Sequence, residues 1–154
     1  MRKGFTMIEL IFVIVILGIL AAVAVPKLAA TRDDAQVSKM AANLSTLVSD
    51  AAAYYTSQGS SKWGSAKIGE ITNVALNDSA SSASFIDSNT SITTTAGFFM
   101  NADASNNCFK ITATSDGNLT IVNGTQTTGV CKSVQDVTKG LVKTHSFGGT
   151  GVQR

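Results

Sequence analysis

Residues 10–25 read LIFVIVILGILAAVAV, sixteen consecutive apolar residues. Extended back to Phe5, the stretch reaches 21 residues and is broken only by Thr6 and Glu9. A helix rises about 1.5 Å per residue, so this stretch spans roughly 30 Å, the thickness of the hydrocarbon core of a bilayer. It therefore predicts a membrane-spanning helix near the N-terminus.

The residues on either side predict the orientation of this span. Arg2 and Lys3 precede it, and the first acidic residue is Glu9. By the positive-inside rule, this places the N-terminus in the cytoplasm and everything after Pro26 on the other side of the membrane.

An ordinary cleavable signal peptide is the alternative interpretation of the same residues. Ala22-Val23-Ala24 offers the small-x-small cleavage site that such a peptide needs. Glu9 argues against this alternative, because a carboxylate near the start of an apolar span is costly in lipid and usually functional.

Residues 4–10 read GFTMIEL, and this motif resembles the type III signal of type IV pilins and type II secretion pseudopilins. In that family a membrane peptidase cuts after the glycine and then methylates the new N-terminal amine. The resemblance implies that the leader is cut between Gly4 and Phe5 and that Phe5 is N-methylated. It also makes Glu9 the acidic fifth residue of the mature chain. Beyond the N-terminal segment the resemblance is one of architecture only.

Two residues of this segment have expected roles in assembly. In a helical bundle, Glu9 can neutralise the N-terminal amine of a neighbouring subunit, because an unpaired charge is expensive in a low dielectric. Pro26 stands where the family often has proline. It removes one helical hydrogen bond and clashes with the preceding turn, so we expect it to kink the helix or to mark where it unravels.

After Pro26 the pattern becomes amphipathic. Apolar residues recur at helical spacing at Val37, Met40, Leu44, Leu47, Val48, Ala51 and Tyr55. This predicts one long helix from about Thr6 to Ser57, ended by the glycine-containing residues 59–64. A separate helix that starts after a loop at Pro26-Lys27 is the alternative.

The distal part of the chain favours antiparallel β-structure. Strand-like runs occupy residues 97–100, 108–114 and 119–122, a turn falls at 115–118, and further candidates are 129–131 and 141–145. We predict a pilin-like α+β fold in which the long helix packs on a small antiparallel β-sheet head. The predicted parts are the cleaved leader 1–4, the transmembrane or filament-core helix 5–26, the amphipathic half 27–57, and a connecting loop with a β-rich periplasmic head at 58–154.

Two cysteines, Cys108 and Cys131, lie in the predicted head. If the head is exported, oxidising conditions favour a disulfide between them. The bridge would close a loop of 24 residues, contributing roughly 3 kcal/mol on the chain-entropy model. Two reduced, buried thiols in a cytosolic protein are the alternative.

Composition argues against several other function classes. Only 14% of residues are charged, and Arg2 and Lys3 account for the formal net charge of +2. The chain therefore lacks the clustered basic residues of a nucleic-acid-binding protein. Its single histidine, His145, sits in a strand-like run without a nucleophile–base arrangement, so we expect no enzyme activity, cofactor or metal. The acids Asp103, Asp116 and Asp136 form no dense calcium motif, although major pseudopilins of the family hold calcium.

Two segments fit an acidic sequon that resembles the one used in bacterial N-glycosylation. They are Asp87-Ser88-Asn89-Thr90-Ser91 and Asp116-Gly117-Asn118-Leu119-Thr120. Chance matches are common in a chain this rich in Ser, Thr and Asn. Both therefore stay hypotheses at this point.

The leading prediction is a structural subunit that polymerises into a type IV pilus or a type II secretion pseudopilus. The disulfide favours a pilin, whereas the short length favours a pseudopilin. The expected partners are copies of the same chain, the prepilin peptidase, the assembly platform and the inner membrane. The alternative is a single-span anchored periplasmic protein that does not assemble.

Overall fold

A computed structural model describes residues 4–127 and 129–148 of the chain. The predicted α+β class is confirmed, because a long N-terminal helix precedes a small antiparallel sheet. In chain order the elements of the described residues are α1 (Met7–Trp63), α2 (Ile68–Ile71), β1 (Phe98–Asp103), β2 (Asn106–Ala113), β3 (Asn118–Asn123), α3 (Gly129–Val137) and β4 (Thr144–Ser146).

The chain divides into two compact units, Met1–Ala35 and Gln36–Arg154. In the first unit, every described side chain is exposed. Large apolar ones are included, with Phe12 66% and Leu17 58% accessible. Helix α1 is long and apolar enough to cross a membrane. An exposed apolar surface of this size marks contact with lipid or with another protein. We therefore expect lipid or another protein chain to cover the side chains of the first unit.

Helix α1 continues through Pro26. The alternative of a separate helix beginning after a loop at Pro26-Lys27 is therefore wrong. The backbone at Pro26 keeps helical angles, since the non-helical position within α1 is Gly59. Proline in a membrane helix is tolerated where neighbouring groups satisfy the freed carbonyl. A bend of the axis at Pro26 stays a prediction.

The second unit confirms the predicted amphipathic stripe of α1. Met40, Leu44, Leu47 and Ala51 are buried, each at most 5% exposed. They recur at three- and four-residue intervals, so they line one face of the helix and contribute it to the core. Val37, Val48 and Tyr55 of the predicted stripe pack against the same core and are partly buried.

Helical geometry in α1 breaks at Gly59, two residues after the predicted end near Ser57, and a further turn then runs to Trp63. Gly59 has φ +76° and ψ 175°, a backbone conformation that glycine adopts at little cost. The break is followed by one more turn, and Trp63 at its end is fully buried. Its Nε1–H donates to the Thr114 carbonyl at 2.8 Å. The turn after Gly59 thereby places this indole in the core.

The sheet is an antiparallel meander in the order β1-β2-β3-β4. Phe98 pairs with Ile111, and Ile111 pairs with Ile121, so one face carries large apolar side chains across three strands. These three residues are at most 1% exposed and join the buried stripe of α1 in a single core. The predicted strands at 97–100, 108–114 and 119–122 therefore correspond to β1, β2 and β3.

The predicted strand at 129–131 is wrong, because these residues begin helix α3. Gly129 takes φ +58° at its start. Cys131, Val134 and Gln135 are buried, and this spacing puts them on one helical face. On the exposed face, Lys132 pairs with Asp136 at 2.8 Å, an i,i+4 contact that supports a helix.

The predicted strand at 141–145 is displaced toward the C-terminus. Strand β4 covers Thr144–Ser146, whereas Leu141 belongs to the turn after α3 and donates its backbone N–H to Thr138. His145 lies in this strand as predicted, opposite Leu119. Leu141 and Val142 are partly buried against the core, which suits their apolar side chains. Residues in a turn can be buried in this way as well as residues in a strand.

Cys108 of β2 and Cys131 of α3 form a disulfide, as the sequence predicts. Next to it, the buried Gln135 amide donates to the carbonyls of Cys108 and Gln126 at 2.9 and 3.1 Å. The bridge and this amide both fasten α3 to β2.

Removal of the disulfide by the double substitution Cys108→Ser and Cys131→Ser will lower the free energy of unfolding by about 3 kcal/mol. Urea unfolding of the detergent-solubilised protein measures this, with fluorescence of the single tryptophan, Trp63, as the signal. A reduced wild-type sample is the matched control and should unfold at the same urea concentration as the variant. An unchanged midpoint in both would contradict a stabilising role for the bridge.

Candidate functional site

The predicted cleavage position lies immediately before α1. Gly4 and Phe5 precede the helix, and both are exposed, Phe5 to 85%. A Cβ added at Gly4 would meet nothing within 4 Å. A short non-helical segment without a side chain at the scissile position suits the extended conformation in which proteases bind their substrates.

Helix α1 begins with a capping box formed by Thr6 and Glu9. The Thr6 carbonyl accepts the Leu10 N–H at 3.3 Å, which makes Thr6 the N-cap. The Thr6 N–H and hydroxyl donate to Glu9 Oε2 at 2.9 and 2.7 Å. In return, Thr6 Oγ1 accepts the Glu9 N–H at 3.4 Å. The two side chains thereby satisfy each other's backbone groups at the start of the helix.

Electrostatics favour the position of Glu9. Its carboxylate lies in the first turn of α1, where the partial positive charge of the helix N-terminus stabilises an anion. The three hydrogen bonds of the box leave Glu9 Oε1 outside it. This oxygen can accept a hydrogen bond from a further donor without disturbing the start of the helix.

Sequence reasoning identified Glu9 but missed its partner Thr6. The signal was present, because Thr6-x-x-Glu9 directly before an apolar run is the sequence pattern of a capping box. Next to a long apolar run, however, Thr6 also has the appearance of a simple polar interruption of the span.

Of the other singled-out residues, Pro26 lies within α1 in the first unit, and the rest lie in the second unit. The disulfide Cys108–Cys131 joins β2 to α3. His145 is half-buried in β4, with its ring Nε2 2.9 Å from the Leu141 carbonyl oxygen. Over residues 4–127 and 129–148, groups of three or more His, Cys, Asp or Glu that could hold a metal do not occur.

Residues 1–25 match the family model of the prokaryotic N-terminal methylation motif. This motif is the signal of type IV pilins and pseudopilins, so residues 1–25 are similar to the N-terminus of a type IV pilin-like precursor. No curated protein and no solved structure matches the chain. The matched residues include Gly4, Phe5 and Glu9. The motif suggests a structural protein, and the apolar N-terminal helix is suited to membrane anchoring.

Substitution of Thr6 by valine will fray the first turn of α1, because the side-chain cap is lost. Loss of an N-cap costs about 1 kcal/mol, so the amides of the first turn should exchange with deuterium roughly fivefold faster. Hydrogen exchange of the detergent-solubilised protein, read by mass spectrometry, measures this rate. Thr6→Ser keeps the hydroxyl and should exchange as the wild type does. Equal exchange in all three proteins would show that the box does not hold the helix start.

Proposed function

We propose that this chain is the precursor of a structural subunit that polymerises into a type IV pilus or a type II secretion pseudopilus. One observation carries the proposal. The methylation motif at residues 1–25 overlaps the start of helix α1, and the apolar side chains of the helix within that range are all exposed. Both kinds of filament use this N-terminal segment, and the proposal covers either.

The proposed maturation begins with removal of the leader 1–4 by the prepilin peptidase. The cut falls between Gly4 and Phe5, in the exposed segment before α1. Phe5 then becomes the N-terminal residue, and its amine is methylated. Residues 5–26 anchor the subunit in the inner membrane, and the remainder of the chain forms the periplasmic part.

The proposed assembly step transfers residues 5–26 from lipid into the core of a filament. Once these side chains have left the lipid, their coverage by neighbouring subunits instead of water holds the filament together, at roughly 25 cal/mol per Å² of apolar surface. Glu9 sets the register, because its free Oε1 accepts the N-terminal amine of another subunit's Phe5. An axial offset that misses this pair leaves both charges uncompensated in a low dielectric.

Pro26 has a proposed role at the C-terminal end of the segment 5–26. Its ring leaves the carbonyl of Ala22 without a helical donor. The hydrogen-bond ladder is therefore weakest there, and we expect α1 to bend or unwind at this point when a subunit is drawn out of the membrane.

The second candidate is a single-span periplasmic protein that is anchored by the same helix and never polymerises. The length and apolar composition of α1 support anchoring in both cases. Glu9 favours the filament, because a carboxylate near the start of a span is costly in lipid, and an uncharged glutamine would serve the helix cap alone.

The mature N-terminus tests the processing step. We expect the protein purified from membranes to begin at Phe5 and to carry one methyl group on its amine, as measured by mass spectrometry of the N-terminal peptide. A chain that begins at Met1, or at Val25 after signal-peptidase cleavage, would refute the proposal. Production in a strain lacking the prepilin peptidase is the matched control and should yield the intact leader.

A further inference from the structure

The acceptor triplet of N-glycosylation, Asn-x-Ser or Asn-x-Thr, occurs repeatedly in this chain. It begins at Asn43, Asn77, Asn89, Asn118 and Asn123. Of these, Asn89 and Asn118 have an aspartate two residues earlier, at Asp87 and Asp116. These two are therefore the candidates for an enzyme that requires the acidic residue.

Asn118 is engaged in the sheet. It is half-buried at the start of β3, and its Oδ1 accepts the Ser146 hydroxyl of β4 at 2.6 Å. Its backbone carbonyl accepts the Thr114 N–H at 2.9 Å. The Ser146 contact lies where β3 pairs with β4, and the half-buried Asn118 is less accessible to an enzyme than the exposed Asn89.

Asn89 is placed differently. It lies in a turn over residues 87–90, between α2 and β1, in which Asp87, Ser88 and Asn89 are exposed. Lys67 Nζ donates to Asn89 Oδ1 at 3.0 Å, a surface contact that engages the amide oxygen. The nitrogen Nδ2, to which a sugar would be attached, is not used in this contact.

The turn is held at its flanks. Asp87 Oδ1 accepts the Asn89 N–H at 2.9 Å. On α2, the Gly69 N–H donates to the Ser88 carbonyl, also at 2.9 Å. A Cβ at Gly69 would lie 2.7 Å from Ser88 Cβ, so glycine is what lets the turn dock this closely. A bulky group on Asn89 would therefore sit on a turn anchored through its neighbours.

We propose that Asn89 is an N-glycosylation site, with a polyprenyl-diphosphate-linked oligosaccharide as the donor. Nδ2 of Asn89 forms a bond to the anomeric carbon of the first sugar and gives up one proton. The bond between that carbon and the diphosphate oxygen breaks, and the diphosphate leaves on the lipid. The inference rests on the proposed function only in that it needs the second unit to be exported.

The test uses the full-length precursor in a bacterium that carries an oligosaccharyltransferase of the acid-requiring class and its lipid-linked oligosaccharide of known mass. We expect the purified protein to gain one oligosaccharide, located at Asn89 by peptide mass spectrometry. Asn89→Gln should abolish the gain, and Asn118→Gln should leave it unchanged. Asp87→Asn keeps an Oδ1 acceptor for the turn but removes the charge, and it should lower occupancy at least tenfold.

Absence of added mass on the wild type, or a gain that survives Asn89→Gln, would overturn the assignment. Thiol alkylation of the same samples without reduction shows whether the missing glycan reflects a lack of glycosylation or a lack of export. An oxidised Cys108–Cys131 pair on an unmodified chain refutes glycosylation alone. Free, alkylated thiols refute the exported topology together with it.

Discussion

Replacement of Glu9 by leucine will leave the protein inserted in the membrane and will abolish the proposed assembly into filaments. Removing one partner of a buried ion pair typically costs about 3–5 kcal/mol. At about 1.4 kcal/mol per tenfold change, a loss of this size weakens each subunit contact by a factor of more than a hundred. Sheared filaments collected by centrifugation should therefore disappear, whereas the membrane fraction should contain the wild-type amount of subunit.

Glu9→Gln separates the charge from the helix cap. Glutamine also fits the third position of a capping box, so α1 should still begin as it does in the wild type. Assembly should fail nonetheless, because the amine of the neighbouring subunit then lacks a counter-charge. Asp33→Leu is the matched control, since it removes an exposed carboxylate of the same unit and should leave filaments intact. Normal filaments from Glu9→Gln would refute the charge-pairing role.

Substitution of Trp63 by alanine will cause the largest loss of stability that we expect from a single residue of the second unit. Trp63 is fully buried, and its ring centroid lies 5.7 Å from Tyr55 and 5.8 Å from Phe147. Truncation of a buried tryptophan costs about 3–5 kcal/mol. The Thr114 carbonyl also loses its donor. Circular dichroism of the β-sheet during urea unfolding measures the loss, because the variant has no tryptophan to report by fluorescence.

Trp63→Phe retains an aromatic ring but lacks the Nε1–H, and we expect an intermediate loss of about 1–3 kcal/mol. Lys62→Ala is the matched control at the neighbouring exposed position and should lie within about 0.5 kcal/mol of the wild type. A Trp63→Ala protein as stable as this control would mean that the indole does not join α1 to the sheet.

The elements that the sequence predicts correctly are those whose local pattern and tertiary environment agree. The amphipathic stripe of α1 is an example, because the spacing of Met40, Leu44 and Leu47 predicts a buried face and the sheet covers that face. Strands β2 and β3 are another example, since the turn residues between them and the apolar runs on both sides predict the hairpin.

The predictions that failed relied on too few neighbouring residues, or they concerned structure that depends on contacts between residues distant in the chain. Gly129-Val130-Cys131 looks like a strand by itself, and helical spacing becomes visible only when Val134 is included. The turn after Gly59 brings Trp63 to Thr114, a contact that no local pattern specifies. At the candidate site, the family motif specifies Gly4, Phe5 and Glu9, whereas the capping role of Thr6 is indicated by the separate pattern Thr6-x-x-Glu9 before an apolar run.

The strand order β1-β2-β3-β4 affects when the second unit can fold during synthesis. Each strand pairs with the one that leaves the ribosome just before it, so the sheet can grow by local steps. Helix α1 must instead wait, because Trp63 binds a carbonyl 51 residues later and Gln36 binds one 66 residues later. At roughly 5–20 residues per second, several seconds separate the synthesis of α1 from that of the strands that cover it. During that interval the apolar stripe of a newly inserted subunit is uncovered, and this is the time at which it is most exposed to aggregation and to proteases.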